Sequence, residues 1–165
     1  MGYTHYFKHQ AVETLVWEKI TTDVQKILNN LPAYSASSGG HYTNEPLKLS
    51  SDQSRTTPII SKTIIWFNGV GILGHEDFML FKKGSKELCK TARKPYDLIV
   101  QACLLIYKYH SPNTMVLTSD GNSSDWKEAE LLISRILGLN ITYATRDLYK
   151  NKNKFPTLKK YQSTA

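Results

Sequence analysis

Apolar residues fall along this chain at two spacings, and the switches between them divide it into elements. Residues 3–7 (YTHYF) alternate and are rich in aromatic rings, which predicts a strand with Tyr3 and His5 on one face and Tyr6 on the other. Between 10 and 31 the apolar positions Val12, Val16, Ile20, Val24, Ile27 and Leu31 recur every three or four residues. That spacing predicts an amphipathic helix, ended by Asn30-Leu31-Pro32. Residues 33–57 are rich in Ser, Thr, Gly and Asn without periodicity, and read as a long loop, either a lid or a variable insertion. Residues 63–68 (TIIWFN) form a continuous apolar run, the mark of a strand buried on both faces. Residues 77–81 (DFMLF) give the next strand, and Gly69, Gly71 and Gly74 punctuate the turn of a hairpin between the two. Residues 95–109 predict a helix with Pro95 in its first turn, apolar nearly all round and therefore central and buried. Residues 114–118 (TMVLT) read as a strand, 126–137 as a helix closed by Gly138, and 141–144 as a weak last strand.

This order, βα, ββ, αβα(β), predicts an α/β (or α+β) fold. A mixed sheet of about four to five strands is packed by three helices in a single domain over residues 1–149. The length of 165 residues suits one domain, and 41% apolar with 21% charged residues places the chain among globular proteins. No apolar run approaches the roughly 18 residues that span a bilayer. The opening residues lack the basic-then-apolar order of a signal peptide, and no lipid anchor is read at Gly2. Two cysteines, Cys89 and Cys103, are too few for a disulfide framework, so the expected setting is the reducing cytoplasm.

Charge changes the picture by its distribution. The net charge of +7 favours an acidic partner, but five lysines lie between Lys150 and Lys160. Residues 150–165 therefore read as a basic, flexible tail, and the body is only mildly basic. This weakens the case for a dedicated nucleic-acid binder while leaving nucleic acid open as a partner of the tail.

Two segments concentrate chemistry. In residues 89–97 (CKTARKPYD), Lys90, Arg93 and Lys94 stand just before a predicted helix start, with Thr91 between them. Cations and free backbone N–H groups there make a site suited to a phosphate or another anion. The alternative is that Asp97 neutralises the cluster and the lysines are simply solvated. Cys89 lies in the same field but has no identifiable His–Asn partner. Residues 118–126 (TSDGNSSDW) join a buried strand to a helix. They place Ser119, Asp120 and Gly121 where ligands of such sheets gather, with Asp120 able to accept from ribose hydroxyls or an amine. Against this, Asp120-Gly121 may equally be read as an ordinary turn. Asp125 and Glu128 have the spacing of a capping box. Tyr3, His5 and Tyr6 offer a stacking surface with polar tips, and a core role suits them as well. Asn68 and Trp126 complete the candidate ligand-binding set, Asn68 as a polar residue ending a buried strand. No His/Cys/Asp spacing suggests zinc or iron, no phosphate-binding GxxxxGK[ST] sequence occurs, and no cofactor and no catalytic residue is assigned. Gly69, Gly71 and Gly74 have GxGxxG offsets but precede a strand, not a helix.

The opening MGYTHYF, the FNG at 67–69, CKTARKPYD at 89–97 and SDG at 119–121 with Trp126 five residues beyond resemble the hallmarks of a family of phage and prophage proteins. The match spans most of residues 1–137. The resemblance implies a setting, the cytoplasm of a phage-infected bacterium, and carries no reaction with it. Three functions follow from these readings. The first is a phage accessory protein that binds a phosphate-bearing, nucleotide-like small molecule and sequesters a nucleotide-derived signal of host defence. The second is an enzyme on the same ligand class, with His5 or Asp120 as general base. The third is a nucleic-acid or host-protein binder that uses the tail. Convergence of Tyr3, His5, Asn68, Arg93 and Asp120 on one pocket is expected under the first.

Overall fold

The computed structural model describes residues 2–34, 45–51 and 57–143. Most of the 33–57 loop and the whole basic tail lie outside those residues. The chain opens with strand β1, Thr4–Gln10, and helix α1, Thr14–Asn29. Two short strands follow, β2 at Leu49–Ser50 and β3 at Ile59–Ile60. Strands β4, Ile64–Gly69, and β5, Phe78–Phe81, are joined across a 3-10 turn at Gly71–Leu73 and pair antiparallel, as the hairpin reading expects. Strand β6, Gly84–Lys90, leads through a tight loop into helix α2, Asp97–His110. Strand β7, Met115–Ser119, and helix α3, Lys127–Leu137, complete the described fold. Gly138 ends α3 in the left-handed conformation, at φ 67°, that a glycine adopts without strain.

The fold is thus α+β, with three α-helices in a single domain. One sheet has the order β6-β1-β7, and the other joins β2, β3 and β5 to β4. The expected mixed sheet is instead two sheets whose described pairs all run antiparallel. The reason is β6, which follows β5 directly and pairs with β1. Its sequence, GSKELCK, is too polar to announce a strand. At the other end, Ile141–Tyr143 form no strand.

Helix α2 is the centre of the molecule: every residue from Asp97 to Tyr107 is buried. It packs on α1 and α3 and lies against the inner face of β1, with Phe7, Met115 and Leu117 beneath it in the common core. Phe78 touches both Phe7 and Phe67, at centroid distances of 5.6 and 5.1 Å, and so ties the second sheet to the same core. No helix among the described residues is long and apolar enough to cross a membrane.

Candidate functional site

The alternation of β1 sends Tyr3 and His5 inward and Tyr6 outward, so both inner side chains meet the start of α2. His5 is fully buried, and both its ring nitrogens are engaged. Its Nε2 lies 2.7 Å from Asp97 Oδ1 and its Nδ1 2.9 Å from Ser119 Oγ. The Thr91 hydroxyl donates to the same Asp97 oxygen at 2.6 Å. With Asp97 as a carboxylate, Nε2 carries the proton and Nδ1 accepts from the serine hydroxyl. Ser119 Oγ in turn accepts the Gly121 N–H at 3.0 Å. A continuous chain, Thr91–Asp97–His5–Ser119, therefore runs from the core to a partly exposed hydroxyl on the 119–121 turn.

Tyr3 carries the second half of the site. The Arg93 guanidinium stacks over its ring, 3.9 Å from the centroid, a cation–π contact, and donates to Asp125 Oδ1 at 3.0 Å. Gly121 packs on the Tyr3 hydroxyl so closely that any Cβ there overlaps it. Gln101, buried on α2, reaches both the Tyr3 hydroxyl at 3.4 Å and the Asp125 carbonyl at 3.2 Å. Asp120 fixes the turn to β1, its Oδ2 accepting the Thr4 N–H at 3.0 Å, and its side chain is exposed. Trp126 stacks on Tyr143 at 3.9 Å and meets His5 edge-on at 5.0 Å. Among the described residues, neither the Trp126 indole N–H nor the Tyr143 hydroxyl has a hydrogen-bond partner. Burial pushes the Tyr143 hydroxyl pKa up, with Tyr3 and Asp125 acting in the same direction.

The loop that presents Arg93 is strained. Ala92 and Arg93 both adopt positive φ, 51° and 58°, consecutive left-handed residues without a glycine. Each costs on the order of 1–2 kcal/mol. The surroundings hold them there. The Thr91 and Ala92 N–H groups both donate to the Tyr3 carbonyl, and Lys94 N–H closes the turn on Thr91.

The structure thus brings Tyr3, His5, Thr91, Arg93, Ser119, Asp120, Gly121 and Trp126 together, and leaves four expected residues elsewhere. Asn68 sits in the second sheet, where its amide bonds Asp77, His75 and the Gly69 N–H, a structural plug for the turn after β4. Tyr6 lies on the outer face of β1. Lys94 Nζ is turned to the Ile72 carbonyl, and the Lys90 side chain runs over Gly2. The expected convergence of Arg93 with Asp120 and Tyr3 is present, and that of Asn68 is not. The helix start also differs from expectation. Its N–H groups face back into their own turn, Asp97 to Lys94 and Ile99 to Tyr96, and Asp97 is buried against His5 rather than neutralising the cations. Asp125 is not the cap residue. Asn122 takes that position and Asp125 closes the box three residues on, accepting the Asn122 N–H at 2.9 Å. Cys89 is fully buried and burial pushes its thiol pKa up, which makes a poor thiolate. Asp97, Gln101 and Tyr143 are cluster members that sequence reasoning missed. A carboxylate at the first turn of an otherwise apolar helix was the available signal for Asp97.

No cluster of three or more potential metal ligands occurs among the described residues. A concavity of about 660 Å³ lies on the far side of the β6-β1-β7 sheet and not at this cluster. The chemistry here is therefore that of an oriented surface patch backed by a buried network. No family model, no curated protein and no solved structure matches the chain.

Proposed function

We propose that the patch formed by Tyr3, Arg93 and the 119–121 turn binds a phosphate-bearing small molecule and holds it unchanged. The observation that carries this reading is Arg93. A planar donor fork is fixed on an aromatic ring, in a strained backbone, beside an exposed carboxylate and a positioned hydroxyl. Such pre-organisation suits bidentate recognition of phosphate, because little freedom remains to be lost on binding. Ser119 and Asp120 supply the donor and acceptor that a sugar hydroxyl needs. In the phage setting that the sequence resemblance implies, a protein of this kind sequesters a nucleotide-derived defence signal.

A second reading has a specific observation in its favour. The hydrogen-bonded order Asp97–His5–Ser119 matches that of a serine nucleophile, its base and the group that orients the base. Against it, Ser119 Oγ already accepts from Gly121 N–H, and the imidazole is wholly buried. A thermal-shift screen against nucleotides, followed by chromatography of the recovered ligand, separates the two. Stabilisation with the ligand intact supports sequestration. A new product supports the enzyme, and no stabilisation by any phosphate-bearing compound overturns both.

A further inference from the structure

The outward face of the β6-β1-β7 sheet is apolar in its middle and charged at its ends. Strand register sets Leu88, Tyr6 and Thr118 in one row across it and Lys86, Lys8 and Val116 in the next. Tyr6 is 42% exposed and Leu88 53%, and the concavity of about 660 Å³ runs over them, with Met79 in its lining. Lys8 and Lys86 occupy one end. Glu76 occupies the other, held there because its carboxylate accepts the N–H of Lys90, two residues beyond Leu88, at 2.7 Å. Asp77 follows it and lines the same concavity. Single exposed apolar residues are ordinary on a protein surface, but contiguous apolar ground between charged rims marks an interaction surface.

We infer that this face joins two copies of the chain about a twofold axis. An axis lying in the interface and crossing the strands at the Tyr6 row turns each end onto the opposite end of the other copy. Lys8 and Lys86 of one copy then stand over Glu76 and Asp77 of the other, while Tyr6 and Leu88 meet their own counterparts. A face graded from cation to carboxylate is complementary to itself in this orientation and no other, which is the requirement for an isologous contact. A partner of one charge sign, such as a nucleic acid, meets like charge at one end. The ligand patch lies on the inner side of β1, so this inference stands apart from the proposed function.

Sedimentation velocity of the full chain over a concentration series, at low and high salt, tests it. The expected result is a monomer–dimer equilibrium that salt weakens, because the end contacts are ionic. Leu88→Lys and Lys86→Glu alter exposed positions, so each should fold with an unchanged melting temperature. Each should weaken self-association by at least about tenfold. A chain that stays monomeric throughout the series overturns the inference. So does a dimer that both folded variants leave intact, or one that high salt strengthens.

Discussion

At the scale of single residues, burial decides roles that residue type leaves open. His5 and His9 sit two apart on β1 with the same inward direction, yet they differ in what they face. His5 meets a carboxylate and a hydroxyl, whereas His9 faces the Tyr107 hydroxyl, 3.2 Å away. Burial lowers the His9 pKa from 6.5 to about 4, with a smaller opposing contribution from the Gln10 backbone. The folded state therefore binds fewer protons than the unfolded chain below pH 6.5. Stability from this group is full above the unfolded value and is lost as pH falls towards 4, by at most about 3 kcal/mol. Chemical denaturation between those pH values should show this slope in the wild type and a shallower one in His9→Gln. Equal slopes contradict the assignment. Asp97 gives a second expectation. Asp97→Ala leaves the His5 and Thr91 donors without their acceptor in the core and should cost at least about 2 kcal/mol. Asp97→Asn keeps an oxygen able to accept both and should cost less. Urea unfolding that ranks the two variants the other way refutes the Thr91–Asp97–His5 chain as a stabilising network.

At the scale of elements, the strands and helices with a clean apolar rhythm were legible and the rest were not. Helix α2 follows from its continuous apolar surface, and β1 from its alternation. Strand β6 escaped because its side chains are mostly polar; it is made a strand by a partner, β1, far away in sequence. The same blindness hides the connection after β6. Nothing in KTARKP announces that Ala92 and Arg93 take left-handed backbone, which the bonds to Tyr3 impose. Glycine is at ease in that conformation and a β-branched residue is not. Ala92→Gly should therefore be neutral to stabilising, by up to about 1 kcal/mol, and Ala92→Val destabilising by about 2 kcal/mol or more. Equilibrium unfolding of the pair checks this, and a variant series in which valine is tolerated as well as glycine contradicts the strain.

At the scale of the whole molecule, the candidate site is assembled from three stretches: the start of β1, the loop before α2 and the turn after β7. Sequence composition singled out all three, because each ends a buried element with polar side chains. It did not show which polar groups face inward. That is why Asn68 was grouped with a cluster that lies in another sheet, and why the anion attraction was spread over Lys90, Arg93 and Lys94. In the fold it rests on Arg93, which must be shared between a ligand and Asp125. Both side chains of that pair are mostly buried, so Arg93→Ala should lower stability by about 1 kcal/mol. Asp125 keeps its bond from the Asn122 N–H and limits the loss.

The affinity of that variant tests the central claim most directly. Isothermal titration of the nucleotide that gives the largest thermal shift, into wild type and into folded Arg93→Ala, measures what the guanidinium contributes to binding. The Tyr3–Arg93 patch predicts one site per chain and a loss of about ten- to hundredfold in affinity on substitution, the worth of a charge-assisted pair. An affinity equal in the two proteins, with the variant showing only its loss of stability, contradicts it and makes Arg93 a structural brace between Tyr3 and Asp125.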